Sequence, residues 1–182
     1  MEPFKESDLT PEYQYCQDRN QLADPYDPKE LVGWGHDTSR FVPTEVAGLA
    51  LADIKNLKLK WSFGYPASLR ARSQPAIAMG TVFTGSQDGT VYALDLDTGC
   101  VRWAFAASAE VRTGVVIGEV SSGRKLAFFG DIIANAYAVD AITGELVWLS
   151  LDNNLCLLLQ RLPQIQLLKS LFQGIYKLHL PA

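Results

Sequence analysis

Ala93-Leu94-Asp95-Leu96-Asp97-Thr98-Gly99-Cys100-Val101-Arg102-Trp103 returns 45 residues later as Ala138-Val139-Asp140-Ala141-Ile142-Thr143-Gly144-Glu145-Leu146-Val147-Trp148. The shared letters spell Ala-x-Asp-x-x-Thr-Gly-x-x-x-Trp. The match extends upstream, where Phe83, Gly85 and Tyr92 recur as Phe128, Gly130 and Tyr137. A third, partial copy precedes both, because Lys60-Trp61-Ser62-Phe63 echoes Arg102-Trp103-Ala104-Phe105. Each letter has a physical use. Thr-Gly makes a tight turn, with Gly free to adopt a backbone conformation that other residues resist. Asp95 and Asp140 are placed to accept hydrogen bonds from turn amides. Trp103 and Trp148 offer a broad apolar ring with one N–H donor. On an outer strand such a ring would lie between neighbouring units, and Ala93 and Ala138 would leave room for a neighbour's ring. The motif is therefore architectural.

Strand signals surround it. Gln74–Ala78 runs to a turn at Met79-Gly80, then Thr81-Val82-Phe83-Thr84-Gly85 follows. Asp88-Gly89 is a hairpin signal, and Thr90-Val91-Tyr92-Ala93-Leu94 alternates with the period of a half-buried strand. Val101–Phe105 is the outermost strand, and the second unit runs likewise from Thr113 to Leu151. A period of this length with four strands per unit predicts an all-β protein. It is an incomplete β-propeller of two full four-stranded blades plus an extra strand, with an irregular N-terminal arm. A generic antiparallel meander is the alternative. Eight identities at one offset, in matching turns and strands, argue against it.

The flanks differ from the repeat. Residues 1–55 are acidic and broken by Pro3, Pro11, Pro25, Pro28 and Pro43, with turn formers throughout Asp24-Pro25-Tyr26-Asp27-Pro28. They read as an extended arm wrapping the domain edge, against the alternative of a disordered leader. Residues 56–152 hold the blades. Residues 153–182 form an atypical Leu/Gln-rich tail that lacks any Asp or Glu from Leu155 onward. Leu158, Leu162, Ile165, Leu168, Phe172 and Ile175 lie at helical spacing. A helical partner-binding tail and an out-of-frame segment replacing the next blade are the two readings.

Composition excludes several classes. The 182 residues carry a formal charge of -4, which disfavours nucleic acid and anionic membranes as partners. No stretch reaches the roughly 18 apolar residues of a membrane span. The charged opening Met1–Asp8 does not read as a secretory signal. His36 and His179 are too few and too distant for a metal cluster or a triad, and no Cys-x-x-Cys pair is present.

The two full motifs resemble the tryptophan-docking motif of pyrroloquinoline-quinone (PQQ)-dependent alcohol dehydrogenases. WD-repeat propellers share Asp88-Gly89-Thr90-Val91, but they would place Trp-Asp where this chain has Leu94-Asp95. Gly33–Phe41, Leu57–Gly64, Ala71–Pro75 and Val82–Gly89 resemble polyvinyl-alcohol-dehydrogenase-like quinoproteins. The resemblance spans roughly Cys16 to Asp152. It implies a quinoprotein-like (PQQ-repeat) propeller, normally of about eight blades, a periplasmic location, and PQQ as cofactor with a calcium ion.

In a propeller the inner strands border the central channel. Arg112 and Thr113 open one inner strand, and Arg70 and Arg72 precede the other. PQQ carries three carboxylates, which guanidinium forks suit, so Arg112, Thr113 and Arg72 are the candidate cofactor-binding residues, with Arg70 behind them. The blander reading is surface ion pairs. Asp131 and Asn135 read as a turn cap, so no metal ligand is assigned, and no carboxylate base is nominated. Cys16 and Cys100 would form a disulfide in an oxidising compartment or remain free thiols. Three functions stay open: part of a PQQ-dependent alcohol or polyvinyl-alcohol dehydrogenase that is inactive alone, a cofactor-free binding scaffold of the outer-membrane-assembly type, or a gene remnant. Two blades leave open edges, so self-association is expected.

Overall fold

The computed structural model describes residues 13–19, 25–27, 30, 33 and 42–150. The tail expected over residues 153–182 lies outside the described residues. Among the described residues, eight strands form two four-stranded antiparallel sheets, each a simple meander. Blade 1 is β1 (Ala76–Ala78), β2 (Thr81–Gly85), β3 (Thr90–Asp95) and β4 (Val101–Ala106). Blade 2 is β5 (Val116–Glu119), β6 (Lys125–Gly130), β7 (Ala136–Asp140) and β8 (Leu146–Ser150). A helical turn, α1 (Thr44–Ala47), and a 3-10 turn (Leu51–Asn56) precede them. No helix of the described residues is long and apolar enough to cross a membrane.

Strand alternation gives each blade two faces. Phe83, Val91, Ala93 and Trp103 of blade 1 meet Ala127, Phe129, Tyr137 and Val139 of blade 2 in one continuous core. Phe105 packs edge-on against Phe129 and Tyr137, each at 5.7 Å between ring centres, and those two rings stack at 5.1 Å. This interface supplies the burial that neither blade achieves alone.

The Trp rings cross between units. Trp103 is 6% exposed, and its indole N–H donates to the carbonyl of Ala141 in blade 2 at 3.0 Å. Trp61 does the same to Leu96 of blade 1 at 2.9 Å. Each ring lies on the motif glycine of the unit it enters. A Cβ at Gly99 would stand 2.7 Å from the Trp61 ring, and one at Gly144 would stand 2.8 Å from the Trp103 ring. Both glycines also have positive φ, at 73° and 76°, so turn conformation and ring contact require the same residue. Room for the neighbour's ring thus comes from Gly99 and Gly144. Ala93 and Ala138 instead face the Trp of their own blade, in register with Trp103 and Trp148.

Asp95 and Asp140 organise the turns as their position suggests. One oxygen of Asp95 accepts from Asp97 N–H, Thr98 N–H and the Thr98 hydroxyl, and one of Asp140 accepts from Ile142 and Thr143 N–H. The other oxygen holds an arginine, Arg102 in blade 1 and Arg124 in blade 2. Burial opposes charge on Asp95, but the Thr98 bonds and Arg102 outweigh it and lower its pKa. Arg124 and the turn amides do the same for Asp140.

The extra strand expected at Lys60–Phe63 belongs to neither sheet, because no described strand lies beside it to complete a ladder. It still delivers Trp61 and Phe63 to the outer face of blade 1, beside Tyr92, Leu94 and Val101. Tyr13 joins that cluster, its ring edge-on to Tyr92 at 5.6 Å. Tyr15 makes a parallel bridge to Val101, and Cys16 is bonded to Cys100 in a disulfide that resolves the pairing left open by the sequence. Further along, Tyr26 packs on the inter-blade core and Glu30 accepts from Met79 N–H at 3.0 Å.

Candidate functional site

Each blade has two ends. One carries the Asp-x-x-Thr-Gly turns and the docked Trp rings. The other is where the chain enters β1 and β5, and it also carries the β2–β3 and β6–β7 turns. All the predicted cofactor residues lie at this second end. Ser73 donates to the Thr113 carbonyl at 2.7 Å, tying the two entering segments together and bringing Arg72 and Arg112 into one neighbourhood.

Glu110 is the acid of that neighbourhood. Arg112 donates to its carboxylate at 2.7 Å, with the Glu110 side chain 11% exposed and that of Arg112 46% exposed. The Arg112 hydrogen bond is the main cause of a lowered Glu110 pKa, with further help from the charges of Arg112, Arg72 and Arg70. The same bond raises the Arg112 pKa. The charges of three arginines thus act on one carboxylate at the end of the inner strands. Arg70 and Arg72 are exposed.

Thr113 has a different role. Its hydroxyl donates to the Gly130 carbonyl at 2.9 Å and accepts from the Gly130 N–H at 3.0 Å. Ser73 accepts from Gly85 N–H in blade 1 in the same way. The hydroxyl of Thr113 is thus a clasp between the entering segment and β6, with one lone pair left.

The acids of the adjacent turns are committed. Asp131 accepts from Ile133 N–H, Asn135 N–H, the Asn135 amide and, at 2.8 Å, the Tyr137 hydroxyl. Asp88 is bonded to Ser86, Thr90 N–H and Tyr92. Among the described residues no group of three or more His, Cys, Asp or Glu is arranged to hold a metal ion.

Sequence reading missed Glu110. Its signal was local, since residues two apart on an extended segment share a face, which sets Glu110 beside Arg112.

Two stacked four-stranded sheets, each closed by an Asp-x-x-Thr-Gly turn under a Trp from the preceding unit, define the class: blades of a quinoprotein-type β-propeller. The PQQ-repeat family described as outer membrane protein assembly factor BamB matches residues 26–151, and the chain belongs to it. It is similar to a polyvinylalcohol dehydrogenase of Pseudomonas sp., with 36% identity over 138 residues, 73% of this chain and 21% of that protein. A polyvinylalcohol dehydrogenase of Sphingopyxis sp. (strain 113P3) is 40% identical over 121 residues, 64% of this chain and 18% of that protein. The quinoprotein alcohol dehydrogenase PedH of Pseudomonas putida is 28% identical over 135 residues, 70% of this chain and 22% of that one. The chain thus spans about a fifth of the length of these relatives. Among solved structures, the quinohemoprotein alcohol dehydrogenase from Comamonas testosteroni superposes with a TM-score of 0.46 at 24% identity, covering 54% of this chain and 16% of that one.

Proposed function

We propose that this chain supplies two blades of a PQQ-dependent dehydrogenase acting on alcohols, with polyvinyl alcohol as the substrate suggested by its relatives. The observation that carries the reading is the cluster of arginines around Glu110 at the end of the inner strands. PQQ is a tricarboxylate, and guanidinium groups bind carboxylates through paired N–H donors. Arg112 spends one N–H on Glu110 and keeps others for a ligand carboxylate, while Glu110 fixes the orientation of the guanidinium. Arg72 offers a second, exposed guanidinium, and Arg70 adds charge behind it. Thr113 holds the floor of the site rigid through Gly130.

When bound, PQQ would supply the quinone that takes up electrons from an alcohol. The base such chemistry needs and the donors for calcium are assigned to no residue of this chain. The two blades alone are then not catalytically competent, and a longer protein would complete the site. The Trp61 and Trp103 contacts fit the tryptophan-docking motif of the class. Cys16–Cys100 suits an oxidising compartment such as the periplasm. The domain plan follows: an arm over residues 1–55, blades over 56–152 and a tail over 153–182.

Titration of the full chain with PQQ, followed by absorbance, tests the reading. Arg112→Ala is expected to weaken binding about 10- to 100-fold, as loss of a charge-assisted hydrogen bond does, and Arg72→Ala less. If Arg112→Ala and Arg72→Ala both bind PQQ as the unsubstituted chain does, the arginines do not hold the cofactor.

A further inference from the structure

A cleft of about 500 Å³ lies at the opposite end of blade 1, beside the Thr98-Gly99 turn. Three separate pieces of chain line it: residues 13–17 of the arm, 62–64, and 98–100. All three are pinned. Cys16 is bonded to Cys100, and the arm exchanges two backbone hydrogen bonds with Val101 at 3.0 and 2.8 Å. Tyr13 rests on Tyr92, and Trp61, next to Ser62, rests on Gly99. The walls are therefore held in place before any ligand arrives, which lowers the ordering cost of binding.

The lining chemistry is selective. Tyr13, Tyr15 and Phe63 contribute aromatic rings, and Gln14, Gln17 and Ser62 contribute neutral polar groups. Among the described residues, no charged side chain lines the cleft. The Arg19 guanidinium stacks on the Tyr15 ring, 3.9 Å from its centre, without joining the lining. Burial foremost, and Tyr15 beside it, push the Tyr13 pKa up to about 12, so its phenol stays neutral. The side chains of Gln14, Gln17 and Ser62 make no hydrogen bonds among the described residues, so their donors and acceptors are free for a ligand. Among the described lining residues an anion finds no counter-charge, Arg19 being engaged on the Tyr15 ring, and a purely apolar ligand would strip water from the amides without replacing it. A neutral chain rich in hydroxyls satisfies both halves, laying C–H faces on the rings and hydroxyls on the amides.

We propose that this cleft binds a neutral polyhydroxylated chain, an oligosaccharide or polyol segment, and that the Cys16–Cys100 bond assembles it. The site is separate from the arginine end and needs no cofactor. Calorimetry on the oxidised full chain tests it, with maltopentaose as neutral probe and an oligogalacturonate as anionic counterpart. Maltopentaose is expected to bind at least about tenfold more tightly than the anion. Tyr15→Ala and Gln17→Ala, both at exposed positions, are each expected to weaken it by about three- to tenfold, whereas Arg112→Ala leaves it unchanged. Reduction of the disulfide frees the arm and abolishes binding. The proposal is overturned if maltopentaose does not bind, if the anion binds equally well, or if Tyr15→Ala and Gln17→Ala both retain full affinity. Binding that survives reduction overturns the role of the disulfide.

Discussion

Blade 1 and blade 2 share a strand order, a register and even a break in register, between Ala93 and Leu94 in one and Ala138 and Val139 in the other. Their outer strands differ. In β4, Val101, Arg102 and Trp103 are buried, because blade 2 covers one face and the arm with Trp61 and Phe63 covers the other. In β8, Leu146, Val147 and Leu149 are exposed, and Trp148 is half-buried with no acceptor for its N–H among the described residues. Inside the blade nothing has changed. Trp148 meets Phe128 at the same 46° tilt that Trp103 makes with Phe83. The contrast shows that the motif is a relay, in which each unit donates a ring and receives one. A Trp gains its full worth from the unit that follows it.

The sharpest way to break this comparison is to remove the rings. Trp103→Ala should cost about 3–5 kcal/mol, the usual range for emptying a buried aromatic site. Trp148→Ala should cost about 1 kcal/mol or less, as a half-exposed side chain away from a packed interface does. Denaturant melts of the two variants measure both. Equal losses would mean that Trp148 is covered as fully as Trp103 and would remove the asymmetry.

The arginines that hold the motif carboxylates give a second contrast. Arg102 lies in β4 with its side chain 5% exposed, whereas Arg124 lies before β6 and is 45% exposed. The two are not repeat equivalents, since the offset that relates the blades maps Arg102 to Val147 and Arg124 to Met79. One electrostatic need is met from two places. Arg102→Ala, which removes a buried guanidinium from a partly buried Asp95, should cost about 1–3 kcal/mol. Arg124→Ala should cost about 1 kcal/mol at most, being a solvent-screened pair. Thermal melts distinguish the two.

How much of this could be read from sequence follows the same division. Turns and strands were legible because Thr-Gly, Asp-Gly and two-residue alternation act locally, and the eight observed strands match the expected stretches, β3 and β4 each running one residue further. What depends on a neighbouring unit was not. Nothing in Gly99 states that Trp61 will lie on it, and Ala93 looks like the roomier residue until the register sets it against Trp103. Arg102 and Arg124 escaped a reading by repeat because they break the repeat. The arginines at the other end were legible as a group, since position before an inner strand is a sequence property. Glu110 carried only the local signal of its spacing from Arg112, and its place beside Arg72 arises where two entering segments meet through Ser73 and Thr113. The Cys16–Cys100 pair needed the arm's path across β4.

The smallest expected effect separates the two carboxylates themselves. Both folded-state pKa values lie below the ordinary value. Each therefore contributes stability that is fully present above the unfolded value of about 4, and that is lost as pH falls through the folded value. Melting temperature should hold steady from neutral pH down to about 5 and decline only below about 4. The causes differ between blades, and that difference can be measured. Asp95 owes its shift first to the Thr98 hydroxyl, at 2.7 Å, whereas Asp140 owes it first to Arg124. Thr98→Ala should therefore raise the Asp95 titration midpoint. Thr143→Ala should leave Asp140 in place, because the Thr143 hydroxyl accepts from Glu145 N–H rather than serving the carboxylate. Salt should act the other way, screening the half-exposed Arg124–Asp140 pair more than the Thr98–Asp95 hydrogen bond. Carboxyl-carbon NMR titrations of the two aspartates at low and high ionic strength read both responses. If the midpoints move together under every change, the carboxylates answer to a common field of the domain, and the local account of each turn is wrong.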